Sequence, residues 1–257
     1  MRQLSQELSI YGRFNFEYAP VAVKFLLPKP DEGIKRLDKS ISLCEMITEA
    51  RVRNEPFYVP KDKDGCVGKV ALGMVDLEVP GAGGLGGPKF GIYQEDRANH
   101  ALFKHAPMFR RGVVNFVVFS TLEKLAFEPD LLILNADVEQ AEIVIRAMSY
   151  STGDPVESKI TPALGCSWIL VHPFQTGKAN YMITGTTFGA KAKEAFEPGQ
   201  FLFGIPYQQL PMVTQNLKEM EWHLQSYADG RKKFLERDEK AFKEAEKAYK
   251  DALAILG

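Results

Sequence analysis

The chain has 257 residues, 45% of them hydrophobic and 25% charged, which is the composition of a folded globular protein and excludes fibres and wholesale disorder. Thirty-two Lys and Arg stand against 33 Asp and Glu, a formal net charge of −1, so no overall positive field exists to hold a nucleic acid or an anionic membrane. The longest strongly apolar run, 112–122, falls short of the roughly 20 residues that span a bilayer, and no apolar leader with a cleavage site opens the sequence. Three cysteines are too few for a disulfide-stapled secreted domain, so reduced thiols and a cytoplasmic location are expected.

In chain order, Pro20-Val-Ala-Val-Lys-Phe-Leu-Leu27 is short, bounded by prolines and rich in β-branched residues, and reads as a first core strand. Pro28-Lys-Pro-Asp-Glu-Gly33 breaks regular structure. Ser42 then stands where an N-cap is wanted, ahead of a helix through Met46, Ile47 and Ala50 that has Cys44 in its first turn. After the polar turn 61–65, Cys66 is placed to open a second helix, because Val67, Val70, Ala71 and Met74 fall at helical spacing. A glycine-rich loop, Gly81 to Gly87, precedes a segment with His100 and His105. The runs Val113–Phe119 and Leu131–Leu134 predict buried strands, and Val138–Tyr150 predicts a helix ended by Gly153-Asp-Pro155. Strands alternating with helices predict an α/β body of buried strands covered by helices over residues 1–216.

Residues 217–257 form a tail of different character. Leu217, Met220, Leu224, Tyr227, Phe234, Phe242, Ala245, Tyr249, Ala252 and Leu256 lie on a heptad-like stripe among charged residues. Gly230, Arg231 and Asp238 interrupt it, which predicts two helices or one kinked helix. Such a tail serves either as a brace on its own body or as the contact of a homodimer. There is also an internal echo. Cys44 to Ala50, a proline-containing turn and Gly65-Cys66 resemble Ala141 to Ala147, a proline-containing turn and Gly165-Cys166. Two pseudo-repeated halves would make Cys66 and Cys166 symmetry mates that face one another; chance likeness of two amphipathic helices is the simpler account.

Several segments taken together resemble a known family. They are Tyr18-Ala-Pro-Val-Ala-Val-Lys-Phe, Cys44 in its helix, Cys66-Val-Gly-Lys-Val-Ala-Leu-Gly-Met, Pro129-Asp-Leu-Leu-Ile-Leu-Asn with Gln140-Ala141, Tyr150-Ser-Thr-Gly-Asp-Pro, Gly165-Cys166, Gly185-Thr-Thr-Phe-Gly189 and Phe203-Gly-Ile-Pro206. Their order, from Tyr18 to Leu217, is similar to that of a bacterial and archaeal family catalogued as domain of unknown function one hundred sixty-nine. The resemblance implies cysteines near all three of these places and implies no activity. The arginine common in that family near Phe188 is absent here, which weighs against anion binding by that loop.

The cysteines are the leading chemical candidates, because thiolates are soft metal ligands and strong nucleophiles. Twenty-two positions separate Cys44 from Cys66 and one hundred separate Cys66 from Cys166, and no CxxC occurs, so only the fold can assemble them. A set of Cys44, Cys66 and Cys166 would hold a [4Fe–4S] cluster with one open iron, or a zinc ion completed by His172, another histidine or water. Gly81, Gly83 and Gly86, with Gly84 at a free position, satisfy the letters of G-x-G-x-x-G, but Pro80, Gly87 and Pro88 flank them where a dinucleotide site needs a strand and a helix. With Lys89 they read better as a loop that presents amides and one cation to a small anionic ligand. His100 and His105, five apart, do not share a helix face. No GxSxG, HExxH or GxxxxGK[ST] is present. The expectation is therefore a cysteine-ligated iron–sulfur or metal-binding protein with a redox or small-ligand role. The alternatives are a metal-free module that senses or carries a small molecule, with packing cysteines, and a thiol enzyme built on Cys66.

Overall fold

A computed structural model describes residues 8–61, 66–76, 86–224 and 230–256. It is a mixed α/β protein with a seven-stranded sheet covered by helices and a long C-terminal helix. The strands are β1 (Val21–Leu26), β2 (Lys35–Arg36), β3 (Phe57–Pro60), β4 (Phe116–Thr121), β5 (Leu131–Ala136), β6 (Asn180–Ile183) and β7 (Phe201–Pro206). Their order across the sheet is β2-β3-β4-β1-β5-β7-β6, and every pair is antiparallel except β2 with β3.

The apolar runs become the centre of this sheet. Leu131, Leu132, Ile133 and Leu134 of β5 are all fully buried, because both faces of the strand are covered. One face, carrying Val21, Val23, Phe57, Val117, Phe119 and Ile133, packs against α1 (Leu43–Arg53) and a π-helix (Ser167–Val171). On β5 also lies α5 (Val138–Ser149), whose Ala141, Val144, Ala147 and Met148 are buried at helical spacing. Burying each such large aliphatic side chain is worth about 1.5–3 kcal/mol.

Other short helices connect these layers: α2 (Gly68–Ala71), α3 (Gly86–Lys89), α4 (Asp96–His105), α6 (His172–Thr176), α7 (Phe188–Ala192) and α8 (Leu210–Glu219). The second predicted strand run begins at Phe116 rather than Val113. The helix expected after Cys66 lasts one turn, because the chain reverses at Gly73 (φ 64°), where a Cβ would lie 2.3 Å from the Arg110 carbonyl oxygen. The two halves of the echo are not confirmed as repeats: α1 leads into β3 within four residues, whereas α5 is followed by a long irregular arm.

The chain divides into two compact units, residues 1–218 and 219–257. Within the second, α9 (Gly230–Leu256) is a continuous 27-residue helix whose ion pairs sit at i,i+4 spacing, Lys243 with Glu239 at 2.7 Å and Lys250 with Glu246 at 2.6 Å. No helix among the described residues is long and apolar enough to cross a membrane.

Candidate functional site

Cys44 is the second residue of α1. Ser42 caps that helix in a reciprocal box: its Oγ accepts from the Glu45 amide at 3.4 Å, and the Glu45 carboxylate accepts from the Ser42 amide at 2.8 Å. Burial works against the Glu45 carboxylate, yet the Ser42 hydroxyl and amide and the Lys193 ammonium, 3.0 Å away, hold it below its ordinary range. The Thr48 hydroxyl donates to the Ala195 carbonyl at 2.8 Å, so the exposed side of α1 is tied to 193–195. At the far end of α1, Arg51 donates to the Ala19 carbonyl at 3.0 Å and to Asn135 Oδ1 at 2.8 Å. Burial pushes its pKa down to about 10, still protonated at neutral pH. Bonds at both ends therefore fix Cys44 over the sheet.

Cys166 comes from the opposite direction in sequence. It immediately precedes the π-helix, a rare element that is frequent at functional sites. Two local features force this arrangement. Leu164 has φ 58°, a costly conformation for a bulky residue, just before Gly165. Gly165 then passes so close to α7 that a Cβ there would meet Thr187 Cγ2 and Oγ1 at 2.9 Å. On its other side the π-helix lies on β7 at Gly204, where a Cβ would stand 2.0 Å from the Ile169 carbonyl oxygen. Ser167 donates to the Pro107 carbonyl at 2.6 Å, and Trp168 Nε1 donates to Thr161 Oγ1 at 2.7 Å.

These constraints bring together two of the predicted residues. Cys44 and Cys166 line one small apolar pocket with Ile47, Met182, Phe196 and Leu202, whose free space of about 10 Å³ is the room of a single water. Cys166 is 9% exposed and Cys44 is half-buried. Cys66 does not line this pocket; it is half-buried two residues ahead of α2, and α2 packs on the π-helix that Cys166 precedes. Among the described residues, no three His, Cys, Asp or Glu side chains stand close enough to hold a metal ion.

The structure does not bring His172 to the cysteines. It opens α6, one π-helix beyond Cys166, and lines a separate cleft with Lys159 and Asn180. Burial and then the Lys159 ammonium push its pKa below the ordinary 6.5. Gly81, Gly83 and Gly84 lie outside the described residues, whereas Gly86 begins α3 and Lys89 ends it, exposed. The adjacent Phe90 ring stacks on Phe188 at 5.3 Å, which links the end of the glycine segment to the start of α7. His100 and His105 are both exposed on α4.

Sequence reasoning missed the π-helix, the strained Leu164 and the cleft around His172. The one signal available was Gly165 beside Cys166, since a glycine next to a cysteine marks a close backbone approach. No curated protein and no solved structure matches the chain. Residues 9–216, which include all three cysteines and every strand of the sheet, match the family described as "Uncharacterised ArCR", DUF169. The chain belongs to that family.

Proposed function

We propose that this protein carries a metal centre ligated by Cys44, Cys66 and Cys166, either a [4Fe–4S] cluster or a zinc ion, and uses it in redox or small-ligand chemistry. The observation that carries the reading is the shared pocket of Cys44 and Cys166, two soft donors 122 positions apart that separate anchoring systems bring to one wall-to-wall space of about 10 Å³. Cys66 supplies the third thiolate as 66–68 closes on the π-helix, since metal binding commonly completes a site that the metal-free chain holds only in part. Three thiolates leave a fourth coordination position for a substrate atom or water. Bound metal would supply electron transfer or polarisation of that ligand; the chain supplies the donors and the apolar wall of Met182 and Phe196 beside them.

The test is an absorption spectrum with iron, zinc and acid-labile sulfide analysis on protein purified without oxygen. Wild type should hold stoichiometric metal, and Cys66→Ala and Cys166→Ala should each abolish it. Retention of metal by both variants, or metal-free wild type after reconstitution, overturns the reading. The thiol chemistry fits a reducing, cytoplasmic setting. The stripe of α9 fits a homodimer, in which case deleting 230–257 should convert a sedimenting dimer to a monomer.

A further inference from the structure

The cleft that contains His172 has a volume of about 550 Å³, within the range of small-molecule sites. It is walled by the arm 152–159, by α6 and β6, and by Met148 and Met212 from α5 and α8. Both signs of charge line it. Asp154 and Glu157 supply carboxylates, and Lys159 and Lys178 supply ammonium groups. Among the described residues none of the four forms an ion pair, with one another or with any other side chain. Two carboxylates and two ammonium groups therefore share one cleft with their charges uncommitted.

Hydrogen bonds fix the main chain that carries two of these groups. Asn180, 2% exposed, clasps Lys159 by its main chain, with Oδ1 accepting from the Lys159 amide and Nδ2 donating to the Lys159 carbonyl, each at 2.8 Å. At the other end of the arm, Ser149 Oγ donates to the Asp154 carbonyl at 2.8 Å, and the Asp154 amide donates to Thr152 Oγ1 at 3.1 Å. An arm without regular secondary structure is thus pinned where its acid and its base lie. Between them His172 is oriented as well. The Thr176 hydroxyl donates to the His172 carbonyl at 2.7 Å and so faces the ring as an acceptor, 3.3 Å from Nδ1. This pairing assigns the proton of the neutral imidazole to Nδ1 and leaves Nε2 as the acceptor.

We propose that this cleft binds a small zwitterion of amino-acid or dipeptide size, its carboxylate on Lys159 and Lys178, its ammonium on Asp154 and Glu157, and an apolar side chain against Met148 and Met212. A simple anion would leave the two carboxylates opposing it, and a simple cation would leave the two ammonium groups opposing it. A ligand with both charges satisfies all four groups at once. His172 Nε2 then accepts a hydrogen bond from the ligand. The site is separate from the cysteine pocket and does not depend on metal.

Calorimetric titration of the full chain with L-methionine and with methionylglycine tests this, with N-acetyl-L-methionine and L-methioninamide as the singly charged counterparts. A zwitterion should bind, and removal of either charge should weaken binding by about tenfold or more, the value of one charge-assisted contact. Lys159→Gln should weaken the zwitterion by a similar factor while leaving the amide unaffected, and Asp154→Asn should do the reverse, leaving the N-acetyl compound unaffected. Both side chains are exposed, and unchanged thermal unfolding of each variant will verify that the fold is intact. No binding of either zwitterion at millimolar concentration, or equal binding of the N-acetyl or amide compound, overturns the proposal.

Discussion

Gly204→Ala probes the packing that positions Cys166. Gly204 lies in β7 between β5 and β6, and an added Cβ there would stand 2.0 Å from the Ile169 carbonyl oxygen, 3.0 Å from the Ile169 carbonyl carbon and 3.2 Å from Pro173 Cγ. An ordinary carbon–oxygen contact is about 3.3–3.6 Å, so the π-helix or the strand must move by more than about 1 Å. Neither has room: Ile169 and Leu202 are 1% exposed, and Phe203 is fully buried. The obstacle is main chain rather than the tip of a flexible side chain, so a rotamer change does not relieve it. Overpacking of this kind costs about 3 kcal/mol or more, which for a chain of this size lowers Tm by about 6–12 °C. Displacing the π-helix also shifts the preceding Cys166, so its labelling by a thiol reagent should accelerate relative to wild type. Gly189→Ala is the control, since nothing lies within 4 Å of a Cβ at that position in α7. It should leave Tm unchanged or raise it by the helix preference of Ala over Gly, about 1 kcal/mol. A Gly204→Ala protein that melts within about 2 °C of wild type would refute the argument that this close approach sets the π-helix.

Other expectations follow from single contacts. Asn180→Ala loses three hydrogen bonds at once, to Lys159 N, Lys159 O and Trp168 O, and should destabilise by about 2–3 kcal/mol in urea unfolding. Arg51→Lys should recover little of the loss caused by Arg51→Ala, since one ammonium does not reproduce the fork to Ala19 and Asn135; equal stability of the Lys variant and wild type would refute this. His172 has a lowered folded pKa, so protons bind the unfolded chain more readily. Its contribution to stability should be complete above pH 6.5 and fall as pH drops through the lowered value, and the difference between wild type and His172→Gln across that range measures it.

Local chemistry was legible wherever neighbours in sequence decide the outcome. Ser42 three residues before Glu45 is a helix start, and the structure shows the full capping box with Cys44 in the first turn. The run at 131–134 is a strand because continuous large apolar side chains must be buried on both faces, and the run at 21–26 is one with Lys24 and Leu26 only partly buried. The one-turn length of α2 was not legible, because it depends on Gly73 passing the Arg110 carbonyl, 37 positions away in sequence. The same holds for the π-helix. Ser167-Trp-Ile-Leu-Val171 has no local signal for an inserted residue; the approach of Ile169 to Gly204, and that of Gly165 just ahead of the π-helix to Thr187, impose it.

The division within the candidate site has the same origin. The family, the α/β body, the presence of three thiols and the one that begins a capped helix are all readable along the chain, because they depend on residue type and spacing. That Cys44 and Cys166 share a pocket while His172 faces a different cleft is a matter of long-range packing. Those placements depend on strand order and on two glycines that let backbones approach within van der Waals distance. Such contacts join residues far apart in the chain, and no periodicity in the sequence encodes them.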